Sequence, residues 1–243
     1  MELIKSKFDI ESYLKEISPI MSGEVDKIQT LGIDELKKID KYGITKTTIA
    51  ALCVHVTFEG WEDSGNDEEQ YLRKLKQIKL LVPGITQILS ESDDFLDIKI
   101  NGFYSFFAQF TFRDKIFDEI IDVAAKLNSF VIIMNSKFET LEMPMVKIGI
   151  GIDKDEAYIT RVLHTSSSLD ELFWDSSIWR KLSFLAESAN FGLVKSPIII
   201  SKTVMNEIEG AYKEFFSYNS NIDAFYASLI NRKLNNWFKL NCK

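Results

Sequence analysis

The stretch that most constrains the fold is Phe95–Phe112, which reads FLDIKINGFYSFFAQFTF. Two runs rich in β-branched and aromatic residues, a composition typical of strands, flank the dipeptide Asn101-Gly102. Asparagine and glycine favour the positive φ angles that a two-residue hairpin turn requires. We therefore predict a β-hairpin that is closed by a tight turn at Asn101-Gly102.

Composition restricts the kinds of function that the chain can have. Its 243 residues are 46% hydrophobic, which is enough for one substantial core with appendages. The formal net charge of −7 argues against general binding to nucleic acids or anionic membranes. No run approaches the ~20 apolar residues of a membrane span, and the first residues lack the apolar core of a signal peptide. We expect a cytoplasmic protein that binds neither nucleic acid nor membrane.

Cysteines and histidines are too scattered for a metal or redox motif. Cys53 and Cys242 lie far apart, as do His55 and His164. We expect both cysteines to be free thiols, with Cys53 in the core.

The first half of the chain predicts a helical appendage followed by a strand and a helix. Within residues 1–47, apolar side chains recur at helical spacing. Thr48–Thr57 is a nearly continuous β-branched and apolar run, as expected for a central strand. A helix should begin near Asp67, and Pro83-Gly84 should break or kink it.

The second half predicts further helices and strands. A long helix should span Arg113–Thr140, with a wide apolar stripe facing the core. Met145–Asp153 should form a strand and Glu156–Leu163 its hairpin partner. The remaining predicted elements are a helix around Ser177–Ala189, a strand at Pro197–Ile200, a helix capped by Ser201, and an amphipathic tail over 216–243 that packs on the domain or on a dimer partner.

Four stretches, in this order of elements, resemble class III nucleotide cyclases, which make cyclic nucleotides from nucleoside triphosphates. They are IAALCVHVTFEG, KINGFYSFFAQF, VKIGIGIDKDEAYITRV and LFWDSSIWRKLSFLAESAN. The last is similar to the tryptophan-initiated helix of the Pycsar antiphage cyclases, which make cyclic UMP or cyclic CMP. The resemblance implies an α/β (α+β) fold: a ferredoxin-like cyclase domain over 48–215, with a central, mostly antiparallel sheet flanked by helices, after an N-terminal helical extension over 1–47.

The same resemblance implies where an active site would lie. Class III cyclases hold two divalent cations with one aspartate on the first strand and another after the hairpin glycine, and these positions hold His55 and Phe103. The partner protomer normally supplies an asparagine and a basic residue, and those positions hold Arg180 and Phe184. Mg²⁺ requires hard oxygen ligands, which neither imidazole nor a phenyl ring provides. We therefore expect no metal and no intact catalytic residue.

Most of these residues also have a plainer interpretation. His55 in an apolar strand is more often a core histidine than a ligand, and Phe103 is most simply core packing. Arg180 is either a phosphate contact or an exposed arginine on a helix face. Trp174 and Trp179 either stack on a base or pack at a dimer interface or in the core.

A few other charged residues could contribute to a site. Lys99 and Lys147 are weak candidates for ligand contact. Asp94, Asp97 and Glu59 are the acids that could replace the missing metal ligands. We expect Asp97 to lie on the strand before the turn, several residues from Phe103, and the other two to lie in loops.

These inferences lead to a hypothesis with two rivals. The hypothesis is a Pycsar-type cyclase homologue without catalysis or cofactor, a pseudo-cyclase that acts in antiviral defence through dimerisation or nucleotide sensing. Its partner would be a second copy or an active cyclase. One rival is an active pyrimidine cyclase that converts UTP or CTP with displaced ligands and Mg²⁺ or Mn²⁺. The other is a module that recognises a nucleotide without converting it.

Overall fold

The computed structural model describes residues 28–30, 44–59, 68–102, 104–163, 170–190 and 193–241. The chain divides into two compact units. The larger consists of residues 48–155 and 177–243, and the smaller of residues 1–47 and 156–176.

The strands come singly or in consecutive pairs, and helices separate them along the chain. The strands are β1 (Ile28–Thr30), β2 (Ile44–Phe58), β3 (Phe95–Asn101), β4 (Ser105–Thr111), β5 (Val146–Leu163), β6 (Asp170–Asp175), β7 (Ile198–Ile200), β8 (Ser217–Asn219) and β9 (Ala224–Ala227). The helices are α1 (Glu68–Leu89), α2 (Ile116–Thr140), α3 (Ile178–Ser188), α4 (Lys202–Glu207) and α5 (Arg232–Asn241), with a 3₁₀ helix at Gly210–Phe215. None of these α-helices is long and apolar enough to cross a bilayer.

The larger unit is built on a mixed sheet with the strand order β3-β4-β2-β5-β7-β9-β8. The pairs β3–β4, β4–β2, β7–β9 and β9–β8 are antiparallel, whereas β5 and β7 run parallel. The predicted fold class, a mostly antiparallel sheet flanked by helices, is therefore confirmed.

One face of this sheet carries the main core. Alternate residues of β2 and β4, such as Leu52, Val54 and Phe106, point into one cluster with α1 and α2. Alternation follows from the two-residue period of a strand. The predicted apolar stripe of α2 is confirmed, because its members are buried there or packed against that cluster: Phe117, Ile120, Ile121, Ala124, Leu127, Val131, Met134 and Phe138.

The opposite face of β5 is covered by α3 at very short range. A Cβ at Gly149 would lie 1.9 Å from the carbonyl oxygen of Ala186, and one at Gly151 would lie 2.6 Å from that of Leu182. Only glycine has room at these two positions, so the GIGI run places α3 directly on the strand.

The smaller unit contains the outer ends of two long strands. β1 pairs in parallel with the start of β2, and the end of β5 pairs antiparallel with β6. Lys46 and Glu156 form an ion pair at 2.7 Å within this unit. Residues 28–30 and 44–47 are thus strand, and the predicted helices of the extension lie in ranges 1–27 and 31–43, outside the described residues.

Two local predictions about turns are wrong. Asn101 is the last residue of β3 and pairs with Ser105, so the hairpin loop is longer than Asn101-Gly102 and begins at Gly102, whose φ is +61°. β5 continues through Asp153–Glu156 instead of turning there, and its antiparallel partner is β6. The segment has no glycine or proline to bend it, and Asp153 is buried rather than exposed in a turn.

The predicted break at Pro83 is also absent, since α1 runs from Glu68 to Leu89. Pro83 removes the backbone donor that would pair with the carbonyl of Lys79, and the helix continues without that one hydrogen bond. The ring of Phe130 from α2 packs against Gly84, and a Cβ at position 84 would lie only 2.3 Å from that ring. Packing against α2 keeps the helix continuous.

Most of the C-terminal tail belongs to the larger unit's sheet and surface. β9 pairs with β7, and Phe216 and Ala227 join the main core. Ser201 caps α4 as predicted, since its hydroxyl accepts a hydrogen bond from the backbone of Val204 at 3.2 Å.

Candidate functional site

Strand pairing places His55, the first of the positions that the family resemblance singled out, at one end of the sheet. His55 on β2 pairs with Ser105, the first residue of β4. The Nδ1 atom of the half-buried His55 lies 3.1 Å from the hydroxyl oxygen of Ser105. Phe103 precedes Ser105 by two residues and lies outside the described residues, so its position stays a prediction.

His55 and Cys53, which point to the same face of β2, are both electrically neutral. Burial lowers the pKa of His55 from 6.5, and the negative charge of Glu187 on α3 opposes this only in part. Burial also raises the pKa of Cys53, two residues earlier on the same face. At neutral pH the strand therefore presents an uncharged imidazole and an uncharged thiol.

Helix α3 packs on the sheet through one side, and its exposed side carries Arg180 and Phe184, the two positions that the resemblance assigns to the partner's contribution. The ring of Trp179 meets Phe107 of β4 edge-on, with ring centroids 5.8 Å apart. Arg180 and Phe184 lie one turn apart and are exposed, with half of the Phe184 surface open to solvent. An exposed phenylalanine beside a guanidinium is a suitable contact for a second molecule.

Trp174 does not begin this helix. It lies on β6 in the smaller unit, where it pairs with Ile159 and is buried. The resemblance to a tryptophan-initiated helix therefore does not hold at Trp174, whereas the helix predicted around Ser177–Ala189 is confirmed as α3, Ile178–Ser188.

The three acids considered as replacement ligands are each paired with a base. Asp94 accepts from Arg113 at 2.6 Å, Asp97 lies 3.6 Å from Lys99, and Glu59 lies 2.6 Å from Lys147. They are therefore held in surface ion pairs.

Position along the strands also separates two of these acids from His55. Asp97 pairs with Gln109, four residues along β4 from Ser105, and Glu59 follows His55 by four residues. At the strand rise of about 3.4 Å per residue, each offset is about 14 Å.

The donor groups do not fit a pair of hard cations. Over the part of the chain that the structure describes, no three His, Cys, Asp or Glu side chains gather as a metal site. His55 offers one nitrogen, whereas Mg²⁺ prefers several oxygens in octahedral geometry.

A buried acid that the sequence did not reveal fixes α3 to the sheet. Asp153 on β5 is fully buried, and its Oδ1 accepts a hydrogen bond from Ser201. Its Oδ2 lies 2.9 Å from the ammonium of Lys181 on α3. The sequence placed Asp153 at a strand end, where acids are ordinarily solvated, so nothing marked it as buried.

Comparison with known proteins agrees with this architecture. No protein-family profile matches the sequence. A curated uridylate cyclase from Treponema porcinum is 23% identical over 239 residues, which are 95% of this chain and 81% of that protein. This similarity confirms the resemblance to nucleotide cyclases recognised in the sequence.

Solved structures with the same fold are class III cyclases and a cyclase-like protein. A class III adenylyl cyclase-like ATP-binding protein from Pseudomonas aeruginosa matches with a TM-score of 0.61 and 10% identity, over 93% of this chain and 48% of that one. The guanylyl cyclase Cya2 matches with a TM-score of 0.53 and 13% identity, over 72% and 83%. The adenylyl cyclase CyaB from P. aeruginosa matches with a TM-score of 0.53 and 9% identity, over 72% and 84%. The chain has the class III cyclase fold.

Proposed function

We propose that this protein, which has the class III cyclase fold, is a pseudo-cyclase that binds a nucleotide and a protein partner without forming a cyclic product. The observation that carries the proposal is His55. A neutral, half-buried imidazole that is hydrogen-bonded to Ser105 stands where the family resemblance expects a metal-binding carboxylate.

The energetic consequence of this replacement is large. Metal ions activate the attacking group and stabilise the charge on the reacting phosphate, an effect of several kcal/mol. Each ~1.4 kcal/mol corresponds to a tenfold change in rate, so losing the metals lowers the rate by on the order of 10³-fold or more.

Binding without turnover is supported by two observations. The solved structure that covers 93% of this chain is named as a cyclase-like ATP-binding protein. Arg180 is exposed on α3, and a guanidinium pairs well with phosphate. In this proposal Arg180 contacts the nucleotide of a partner protomer, which is a second copy or an active cyclase, and the assembly serves antiviral defence.

The experiment incubates the protein with ATP, GTP, CTP or UTP and Mn²⁺, and measures products by mass spectrometry. We expect no cyclic nucleotide above the protein-free control. Calorimetry with the same nucleotides should give binding that weakens in Arg180→Ala and is retained in Lys195→Ala, an exposed cation outside α3. Absence of binding by every nucleotide would remove the sensing role.

A gain-of-function variant tests the metal argument directly. His55→Asp combined with Phe103→Asp restores the two carboxylates that the family resemblance expects. Mn²⁺ titration followed by electron paramagnetic resonance should show binding by the double variant that is much tighter than binding by the wild type. Equal Mn²⁺ affinity in both proteins would show that these two positions do not form the metal site.

A second candidate function is an active uridylate cyclase with displaced metal ligands. The observation that favours it is the curated uridylate cyclase that aligns over 95% of this chain. Formation of cyclic UMP from UTP in the same assay would establish this activity and reject the pseudo-cyclase.

A further inference from the structure

A groove of about 1620 Å³ lies in the larger unit between α1, α2, the 3₁₀ helix and α5. Its lining includes none of His55, Arg180 and Phe184. It therefore needs an explanation other than the nucleotide site.

The interior of the groove is apolar. Phe215 and Ile230 stand at its edges, with 59% and 46% of their surfaces exposed. The lining also contains half-buried apolar side chains from α1, α2 and α5: Ile88, Phe130, Ile133 and Leu234. Exposed apolar surface that is rimmed by polar residues often marks a place where another molecule binds.

One wall of the groove is held in place by acids of α2. The hydroxyl of Tyr212, in the 3₁₀ helix, donates to Asp122 at 2.7 Å. The backbone of Glu209 donates to Asp118 at 3.3 Å, just before the 3₁₀ helix begins.

The opposite wall, formed by the segment before α5 and by α5 itself, is held in place by polar residues of α2. Asn128 donates to the carbonyl of Leu229 at 2.7 Å, and the buried Ser129 accepts from the backbone of Asn231 at 2.7 Å. Asn231 also caps α5, because its side chain accepts from the backbone of Leu234 at 3.1 Å. Both walls are therefore preformed, which reduces the entropic cost of binding.

Charge on the groove is asymmetric, although the whole chain is acidic. Of the two acids in the lining, Glu91 forms an ion pair with Lys126 at 2.6 Å, whereas Asp122 accepts a hydrogen bond from the uncharged hydroxyl of Tyr212. The α5 wall carries the exposed cations Arg232, Lys233 and Lys239, and no carboxylate of the described residues pairs with them. These three cations outnumber the one lining carboxylate, Asp122, that no described cation pairs with, so the net charge of the groove is positive.

From these observations we propose that the groove binds an amphipathic helix of a partner protein, with apolar residues on one face and acidic residues along one flank. Small-molecule sites enclose about 300–1000 Å³, so this groove is too large for a typical one. A helix about 10 Å across rises 1.5 Å per residue, so the volume corresponds to roughly three to four turns. Helices bind such grooves through anchors at i, i+3, i+4 and i+7.

The test is a selection on the full-length protein from a displayed library of amphipathic helices. Apolar positions are fixed, and each flank position is Glu, Gln or Lys. We expect enrichment of Glu along one flank only, and synthetic peptides from that pool should bind in fluorescence anisotropy. The triple variant Arg232→Glu, Lys233→Glu, Lys239→Glu should weaken this binding at least tenfold, and the uncharged substitution Ile230→Asn should weaken it without changing the charge of the groove.

A matched control separates the groove from net charge. Lys76→Glu, Lys79→Glu and Lys195→Glu reverse three exposed lysines that do not line the groove, and this variant should bind like the wild type. Thermal unfolding of each variant shows that it is folded.

Three outcomes would overturn the proposal. They are no enrichment of any helix, enrichment without acidic preference, and equal loss of binding in the two triple variants. Flotation with vesicles that contain anionic phospholipid tests whether the groove binds a membrane surface instead. Binding to vesicles without binding to peptides would assign the groove to a lipid surface.

Discussion

His55 is expected to make the stability of the protein depend on pH. Burial lowers its pKa from 6.5 in the folded protein, so the unfolded chain binds more protons between the folded pKa and 6.5. The stabilising contribution is complete above 6.5 and is lost as the pH falls towards the folded pKa. Urea midpoints should therefore decline over this window, and the decline should be smaller in His55→Gln.

The opposing charge of Glu187 supplies a control for this expectation. Because Glu187 raises the pKa of His55, Glu187→Gln should lower that pKa further. The sequence has only two histidines, so an NMR titration in a His164→Gln background follows His55 alone. A midpoint above 6.5 would contradict the burial argument.

Gln109 is a second residue with a testable consequence. It is fully buried in β4, and neither atom of its amide has a hydrogen-bond partner among the described residues. Burying an amide without partners costs roughly 1–3 kcal/mol. Gln109→Met should therefore raise the free energy of unfolding by about 1 kcal/mol or more in urea titrations, whereas Gln77→Met, which loses a 2.6 Å bond to Pro144, should not. A less stable Gln109→Met would show that the amide has a partner.

At the scale of elements, the contact between α3 and β5 depends on glycine. A Cβ at Gly149 would lie 1.9 Å from the backbone oxygen of Ala186, which cannot move without shifting the helix. Overpacking of this kind costs typically 1–3 kcal/mol and occasionally more, and we expect at least about 3 kcal/mol for Gly149→Ala by urea unfolding.

Gly102→Ala is the control for the loss of stability in Gly149→Ala, because it also replaces a glycine but meets no neighbouring atom. Gly102 has open space around it but a φ of +61°, so only its backbone is strained, at a cost of about 1–2 kcal/mol. An equal or smaller loss for Gly149→Ala would mean that α3 can move away from the strand.

Elements with an unbroken local pattern could be predicted, and those decided by distant contacts could not. The stripe of α2 repeats over 25 residues, and the β3–β4 hairpin has runs rich in isoleucine and phenylalanine on both sides of its turn. β5 was divided in two because Asp153–Glu156 is polar, like a turn. Its continuity depends on Ser201 and Lys181, which contact Asp153 from 28 to 48 residues away in the chain, and no local pattern records such contacts.

At the scale of the whole molecule, the sequence proposed a location for the candidate site through the family resemblance, and no metal-binding or catalytic motif of its own marked that location. The family resemblance proposed His55 for a position that holds a metal-binding aspartate in class III cyclases, whereas its neighbour Ser105 and the ring contact of Trp179 required the strand register. The groove beside α5 could not be predicted, because four elements that are distant in sequence meet there.

Assembly is the remaining property of the whole molecule that the exposed face of α3 predicts. If the protein forms the dimer that the family resemblance implies, Phe184 lies at the interface, since it is half exposed on the same face as Arg180. Aromatic anchors at an interface often contribute 2 kcal/mol or more, about a 30-fold change in dimer dissociation constant. Phe184→Glu should therefore raise that constant by at least about 30-fold in mass photometry or light scattering.

Leu193→Glu is the matched control, because Leu193 is 56% exposed but lies outside α3. It introduces the same charge at a similarly exposed apolar position, so it should leave the dissociation constant unchanged if α3 forms the interface. Equal weakening by both substitutions would indicate a general effect of charge. A wild-type protein that stays monomeric at every concentration, with and without nucleotide, would rule out the homodimer and leave an active cyclase as the partner for α3. Mixing the two proteins should then give a heterodimer, and Phe184→Glu should prevent its formation.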